Sequence, residues 1–323
     1  MVEDSNPHWL IERGIGETRC ALVDGGDIIE ARILLDEQTR AGSVIEARLI
    51  SAGMGGRNAV AAAKDGSEYL LPRGARGIAE GGAIAIEVTR EAIPGAEPWK
   101  RPLARLTNLP VGEAPAPAGE ALALPAPKDA LGALGWNDLI DEARSGIVRF
   151  AGGELAVEPT RALTMIDVDG IGDADELAVL GSAAAAKAIR RLDIQGSIGV
   201  DLPTGATKES RLRAAAAFDA FLPQPFERTA VNGFGFIQIV RPRAHASLIE
   251  LAAERAAFEA RALLRRAAFE GAGAKTLAAH PVVIAVLENN PSWTDALARQ
   301  LGGACRLRAE PKLTMSGGHA QKA

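Results

Sequence analysis

Three aspartates stand at the ends of two predicted strands. Asp167 and Asp169 end an apolar segment that begins at residue 163, and Asp201 follows the apolar segment 197–200. Because side chains alternate along a strand, Asp167 and Asp169 point to the same side. If the two strands are neighbours, Asp167 and Asp201 meet at one sheet edge, where ligands of α/β layers commonly bind. Such carboxylates suit magnesium and phosphodiester chemistry; alternatively, they are ordinary turn or capping residues.

Basic and aromatic residues stand near these acids in the sequence. The basic residues end or begin predicted helices and strands, and we predict that they form a phosphate track. They are Arg190, Arg191, Lys208, Arg211, Arg241 and Arg243. The alternative is that they are solvated ends of helices and strands. Tyr69 and Phe234 are isolated aromatics that either stack a base or belong to a core.

An alternation of helices and strands over 129–251 is expected to position the acids. The pattern predicts helices over 137–145, 175–192 and 208–221, the last with Thr207 as its N-cap. It predicts strands over 146–150, 154–157, 163–168, 197–200 and 234–240. This order is typical of an α/β layer.

The rest of the chain predicts three further parts. Strands separated by turn glycines, over 43–50, 58–63, 67–72 and 83–89, indicate a small OB-type β-barrel. Residues 108–128 are rich in proline and alanine, which favours an extended, mobile linker. The last part predicts helices over 253–269, 281–287 and 294–301, and a strand over 305–308.

Composition excludes several classes of protein. The chain has 323 residues and a net charge of −5, so it is not a non-specific nucleic-acid coat protein. Its two cysteines, Cys20 and Cys305, and its four histidines show no metal-ligand spacing, so we expect no zinc site. The N-terminus lacks the apolar stretch of a signal peptide, and no apolar run approaches the ~18 residues of a membrane helix. We therefore expect a cytoplasmic protein with no membrane partner.

Five stretches resemble the catalytic region of the ribonuclease E/G family, in the family's order. They are 10–33 with ALVDGGDIIEARI, 43–91 with EYLLPR and EGGAIAIEVTREA, 151–170 with AGGELAVEPTRALTMIDVDG, 190–201 with RRLDIQGSIGVD, and 233–243 with GFGFIQIVRPR. Each motif alone is modest, but their order and spacing over most of residues 10–243 make the resemblance fairly specific.

The resemblance implies a mixed α/β fold. A ribonuclease-H-like part, residues 1–40 plus 129–160, would flank an OB-type barrel at 41–107 and the linker at 108–128. A deoxyribonuclease-I-like α/β layer at 161–250 would carry the catalytic site, and a degenerate small domain at 253–323 would end the chain.

The resemblance also assigns roles to residues. Asp167 and Asp201 match the family's two magnesium ligands, and Asp169 stands where the family usually has an asparagine. Phe234 and Gly235 match its Phe-Gly pair. Two further positions, Arg241 and Arg243, match basic residues after that strand, whereas Gly233 replaces an arginine.

Two parts of the family pattern are missing. The 5′-end sensor insert is absent after the barrel, and no Cys-x-x-Cys zinc link occurs where residues 244–247 pass. Any homodimer is therefore expected to form without zinc, with the apolar side of the helix at 253–269 as its candidate surface.

The leading hypothesis is an endoribonuclease that uses Mg²⁺, or Mn²⁺ in its place, to cut single-stranded RNA. Its products would carry 5′-phosphate and 3′-hydroxyl ends. The main alternative is a non-catalytic RNA- or ribosome-binding protein on the same scaffold. A metal-dependent phosphatase or deoxyribonuclease is less favoured, because an RNA-binding barrel is predicted.

Overall fold

The N-terminal sheet begins with an antiparallel meander. The computed structural model describes residues 6–53, 58–95, 100–204 and 207–323. The strands of the meander are β1 (His8–Arg13), β2 (Glu17–Asp24) and β3 (Asp27–Leu35). Gly25 and Gly26, both at positive φ, make the tight turn between β2 and β3.

The segment predicted as a mobile linker contributes a strand to this sheet. Strand β9 (Glu120–Leu122) pairs parallel to β1, which gives the order β3-β2-β1-β9. The prediction that residues 108–128 form only an extended, mobile linker was therefore wrong for residues 120–122. Three residues of backbone pairing are too short to produce a recognisable apolar pattern in the sequence.

A closed five-stranded barrel follows β3. Its strands are β4 (Val44–Ser51), β5 (Ala59–Ala63), β6 (Glu68–Leu71), β7 (Ala83–Arg90) and β8 (Leu103–Leu106), in the order β4-β5-β6-β8-β7. The four predicted strands are confirmed, and β8 is an additional strand. Of the glycines expected to break the chain after β4, Gly55 and Gly56 lie outside the described residues.

Tyr69 lies inside the barrel. Its exposed fraction is 3%, and it packs in the core with Leu49, Leu71 and Ile86. The prediction that Tyr69 stacks an RNA base was therefore wrong, because β6 directs its ring inward.

A six-stranded sheet forms the second half of the molecule. Its strands are β10 (Ile147–Phe150), β11 (Gly153–Pro159), β12 (Thr164–Gly170), β13 (Gly196–Asp201), β14 (Glu227–Arg228) and β15 (Phe236–Arg241), in the order β10-β11-β12-β13-β15-β14. Two short helices, α1 (Ala130–Ala133) and α2 (Trp136–Ser145), precede it. Of the part predicted as 1–40 plus 129–160, the β10–β11 hairpin instead belongs to the six-stranded sheet, because β11 pairs with β12.

Helices cover one face of this sheet. Helix α3 (Ala174–Arg191) links β12 to β13, and α4 (Lys208–Phe221) follows β13. Alternate strand residues, such as Ile166 and Val200, are fully buried beneath these helices. The Thr207 side chain accepts a hydrogen bond from the Ser210 amide, which confirms the predicted N-cap of α4.

The C-terminal part packs against the N-terminal sheet. It contains α5 (Leu248–Ala253), α6 (Arg255–Ala267), β16 (Lys275–Ala279), α7 (Pro281–Asn289), α8 (Pro291–Leu301), β17 (Cys305–Ala309) and β18 (His319–Lys322), with the sheet order β17-β16-β18. Ala260, Leu264 and Ala268, predicted as part of a dimer surface, are buried within the chain. That prediction was wrong, because this side of α6 completes the protein's own core.

Candidate active site

Asp167 and Asp201 lie side by side on two adjacent strands. Strands β12 and β13 are parallel, and the two aspartates are partners in their register. Neighbouring strands are about 4.8 Å apart, and partners in register point to the same face. Both residues are exposed on the face that the helices leave uncovered. The expectation that these strands are neighbours is confirmed.

More carboxylates share this open face. Asp169 lies two residues beyond Asp167, and Glu154 on β11 is its register partner. The pKa of Asp167 is raised above its ordinary value of 3.8, first by partial burial and then by the charges of Asp169 and Asp201, with a smaller contribution from Glu158. The acids therefore repel one another, and a cation between them would relieve the repulsion.

The chain immediately after Asp201 packs against the loop before β15. The Leu202 amide donates to the Gly235 carbonyl oxygen over 3.3 Å. Gly235 has φ +88°, and a Cβ at this position would lie 2.3 Å from the Leu202 carbonyl oxygen. Only glycine fits such a close approach, so Gly235 holds this loop beside the aspartates.

Phe234 stands on this loop and is 82% exposed. Its backbone amide donates to the Asn232 side-chain oxygen over 2.8 Å, which fixes the turn. The Phe234 ring does not pack in a hydrophobic core, and it lies at the end of the sheet that carries Asp201. This position is compatible with the predicted base-stacking role.

A small apolar floor adjoins the aspartates, and the sequence did not reveal it. A Cβ at Gly199 would lie 2.6 Å from the Phe236 ring and 3.0 Å from the Met165 sulfur. Those two side chains therefore lie over Gly199, next to Asp167 and Asp201 on the open face. The only sequence signal was the alternation of Phe236, Gln238 and Val240, which places them on one side of β15.

Two of the predicted basic residues lie at the same end of the sheet as the acids. Lys208 and Arg211 belong to the first turns of α4, which begins just after the carboxyl end of β13. Lys208 is exposed and Arg211 is half-buried. Both remain candidates for contacts with a phosphate backbone.

Arg190 and Arg191 lie at the other end of the sheet. Helix α3 runs from the carboxyl end of β12 back to the amino end of β13, so its last turn is remote from Asp201. The Arg190 guanidinium lies 3.6 Å from the Glu30 carboxylate, and Arg191 pairs with Glu142. These arginines stabilise helix contacts, so their prediction as a phosphate track beside the acids was wrong.

Arg241 and Arg243 also lie away from the aspartates. Strand β15 is antiparallel to β13, so Arg241 pairs with Gly196 at the amino end of β13. Its Nη1 donates to the Ile194 carbonyl oxygen over 2.6 Å, and Arg243 forms an ion pair with Glu250. The prediction that Arg241 and Arg243 lie beside the candidate acids was wrong, because the direction of β15 places them at the opposite end of the sheet.

The carboxylates on the open face are the side chains that could hold a metal at this site. Within the parts of the chain that the structure describes, no group of three or more His, Cys, Asp or Glu side chains is arranged to hold a metal ion. The pair of Asp167 and Asp201 nevertheless fits magnesium, which usually keeps several waters and binds through one or two carboxylates. The pair offers oxygen ligands, and its two carboxylates repel each other, so it favours a hard divalent cation over zinc.

Comparisons with known proteins add no assignment. No protein-family model matches the chain, and no curated protein matches it. The resemblance to the ribonuclease E/G catalytic region therefore remains a prediction. No helix among the described residues is both long enough and apolar enough to span a bilayer.

Proposed function

We propose that the protein is a magnesium-dependent endoribonuclease that hydrolyses single-stranded RNA and leaves 5′-phosphate and 3′-hydroxyl ends. The observation that carries the proposal is the parallel register of β12 and β13, in which Asp167 and Asp201 are exposed partners. Two like charges held in adjacent strands favour a divalent cation, and Mg²⁺ or Mn²⁺ has the required oxygen preference.

The proposed architecture follows the same hypothesis. The five-stranded barrel corresponds to an OB-type RNA-binding unit, and its strand order and closure support that assignment. We assign the N-terminal sheet to a ribonuclease-H-like part and the six-stranded sheet to a deoxyribonuclease-I-like layer. The C-terminal part would be the degenerate small domain, and a cytoplasmic location is part of this proposal.

The side chains would divide the chemistry among them. Asp167 and Asp201 would hold the cation, which would act as a Lewis acid and neutralise charge on the phosphate. Asp169 accepts a hydrogen bond from the attacking water and orients it. Lys208 and Arg211 contact the RNA backbone as it passes the carboxyl end of β13. Phe234 stacks on one base, and this contact favours single strands, whose bases are free to stack.

A non-catalytic RNA-binding protein is the second candidate. Two departures at the candidate site favour it: Gly233 stands where the ribonuclease E/G family has an arginine, and Asp169 stands where that family usually has an asparagine. Both changes affect the site of cleavage and leave the barrel unchanged. The two candidates differ in whether bound RNA is cut.

Incubation of the purified protein with a labelled single-stranded RNA, with and without Mg²⁺, tests the proposal. We expect internal cleavage only with Mg²⁺, and a loss of about 100-fold or more in Asp201→Asn, because a metal ligand is removed. Glu227→Gln is the matched control, since Glu227 is exposed on the edge strand β14 of the same sheet. Binding without cleavage at every Mg²⁺ concentration would support the second candidate.

A further inference from the structure

Two large apolar side chains stand in solvent close to the aspartates. Ile171 is 86% exposed and Phe234 is 82% exposed, the two highest values among the large apolar side chains of the described residues. Phe234 already has a proposed role in base stacking, whereas the sequence patterns did not single out Ile171. An isoleucine in solvent forgoes the burial that usually stabilises this side chain, and a bound partner would restore it.

Ile171 lies on the same face of the six-stranded sheet as the aspartates. A Cβ on Gly170 would lie 2.7 Å from the Leu177 side chain, so residue 170 faces α3. The Ile171 amide donates to the Gly152 carbonyl oxygen over 3.1 Å, which extends the pairing of β11 with β12 by one residue. Because side chains alternate along such a backbone, Ile171 continues the row of aspartates on the open face, about 7 Å beyond Asp169.

The loop that carries Ile171 is short and held at both ends. Its amide bond to Gly152 fixes the end of β12, and only Gly172, at φ +113°, separates Ile171 from Asp173. The Asp173 carboxylate caps α3 by accepting from two amides of its first turn, over 3.1 and 3.0 Å. The side chain therefore stands on an ordered backbone, and a ligand that covers it pays little entropy to order the loop.

The position of Ile171 favours a nucleotide base as its partner. Ile171 lies beyond Asp169 along β12, and Phe234 lies beyond Asp201 on the loop before β15. A phosphate at the aspartate pair would leave its neighbouring bases within reach of these two side chains. A single aliphatic side chain is too small for a protein or membrane docking surface, but it matches one face of one base.

We propose that Ile171 packs against the face of one unpaired base, while Phe234 stacks on a different base of the same RNA strand. The inference rests on the RNA substrate of the proposed function, and it adds that the site takes two bases that are not stacked on each other. A double strand keeps both faces of its bases inside the stack, so it cannot offer them to these side chains. Ile171 is thus a base-contact residue that contributes to the preference for single strands.

Binding of a short single-stranded RNA to the full chain in EDTA tests the contact without cleavage. Copies of the RNA that each lack one base locate the contacted bases, and we expect two positions at which the loss weakens wild-type binding. Ile171→Ala should bind the complete RNA about 3- to 10-fold more weakly, because the apolar area that the base covers is reduced. It should remove the penalty at only one of the two positions, and Phe234→Ala should remove the other.

Two further variants separate a base contact from a structural role. Leu180→Ala truncates an exposed aliphatic side chain of α3 and should bind RNA like the wild type. Ile171→Phe offers a larger apolar face and should bind the complete RNA at least as tightly as the wild type. Neither Ile171 variant should change the Tm, since the side chain is exposed. Wild-type affinity in Ile171→Ala, or unchanged penalties at both positions, would overturn the inference.

The inference and the nuclease proposal can fail separately. Binding with the expected base penalties, but no cleavage in Mg²⁺, would support the Ile171 contact and refute the nuclease. Cleavage by the wild type, with unchanged RNA affinity in Ile171→Ala, would refute the contact alone. A wild type that does not bind single-stranded RNA would overturn both.

Discussion

The repulsion between Asp167 and Asp201 predicts that removing one carboxylate stabilises the metal-free protein. The two side chains are partners on adjacent strands, about 5 Å apart. Two unit charges at that distance interact by about 0.8 kcal/mol in water and about 3 kcal/mol at an effective dielectric of 20. Because both side chains are exposed, solvent screening favours the lower value. We therefore expect removal of one carboxylate to raise the free energy of unfolding by about 0.5–1 kcal/mol.

The sign of the pH dependence follows from the raised pKa of Asp167. A carboxylate with a raised pKa in the folded state opposes folding when it is ionised, so its cost is fully present near neutral pH. The cost disappears as the pH falls through the raised value toward the ordinary 3.8. Asp201→Asn should therefore raise the metal-free Tm by about 1–3 °C near neutral pH, and by progressively less in acid.

Magnesium should reverse this order. The ion binds the folded wild type and raises its Tm by mass action, whereas Asp201→Asn should respond weakly because one ligand is missing. Scanning calorimetry of both proteins in EDTA and in Mg²⁺ provides the measurement, with Glu227→Gln as the control that should follow the wild type. The reasoning fails if Asp201→Asn is destabilised in EDTA, or if Mg²⁺ raises both Tm values equally.

Three further predictions concern the same site. Phe234→Ala should weaken the binding of single-stranded RNA about 5- to 150-fold without changing the Tm, because stacking contributes about 1–3 kcal/mol per base. Phe221→Ala is the control, and equal losses of RNA affinity in both variants would refute the stacking role. Asp169→Asn should require more Mg²⁺ for half-maximal cleavage but bind RNA more tightly, since one negative charge is removed; unchanged Mg²⁺ dependence in a titration would contradict this. RNAs with 5′-hydroxyl, monophosphate and triphosphate ends should be cut at similar rates, because residues 108–128 stand where the resembled ribonuclease E/G family carries its 5′-end sensor. A tenfold preference for the monophosphate would contradict this.

The sequence by itself located the elements that carry the candidate site. Apolar segments that end in Asp167 and Asp201, joined by a helical segment, are strong local signals, so β12, α3 and β13 were predicted close to their observed bounds. The turn glycines likewise predicted the barrel, whereas the predicted strand over 234–240 included Phe234, which lies on the loop before the observed strand Phe236–Arg241. Local patterns suffice here because alternation and capping depend on residues close together in the chain.

Only the tertiary structure decided which of these residues meet. The parallel register that makes Asp167 and Asp201 partners, and the antiparallel direction that takes Arg241 to the opposite edge, depend on strand order. The inward ring of Tyr69 and the burial of Leu264 depend on which face of each element packs on the core. Hydrophobic periodicity shows that a face is buried but not what covers it, because the covering element is contributed by a distant part of the chain.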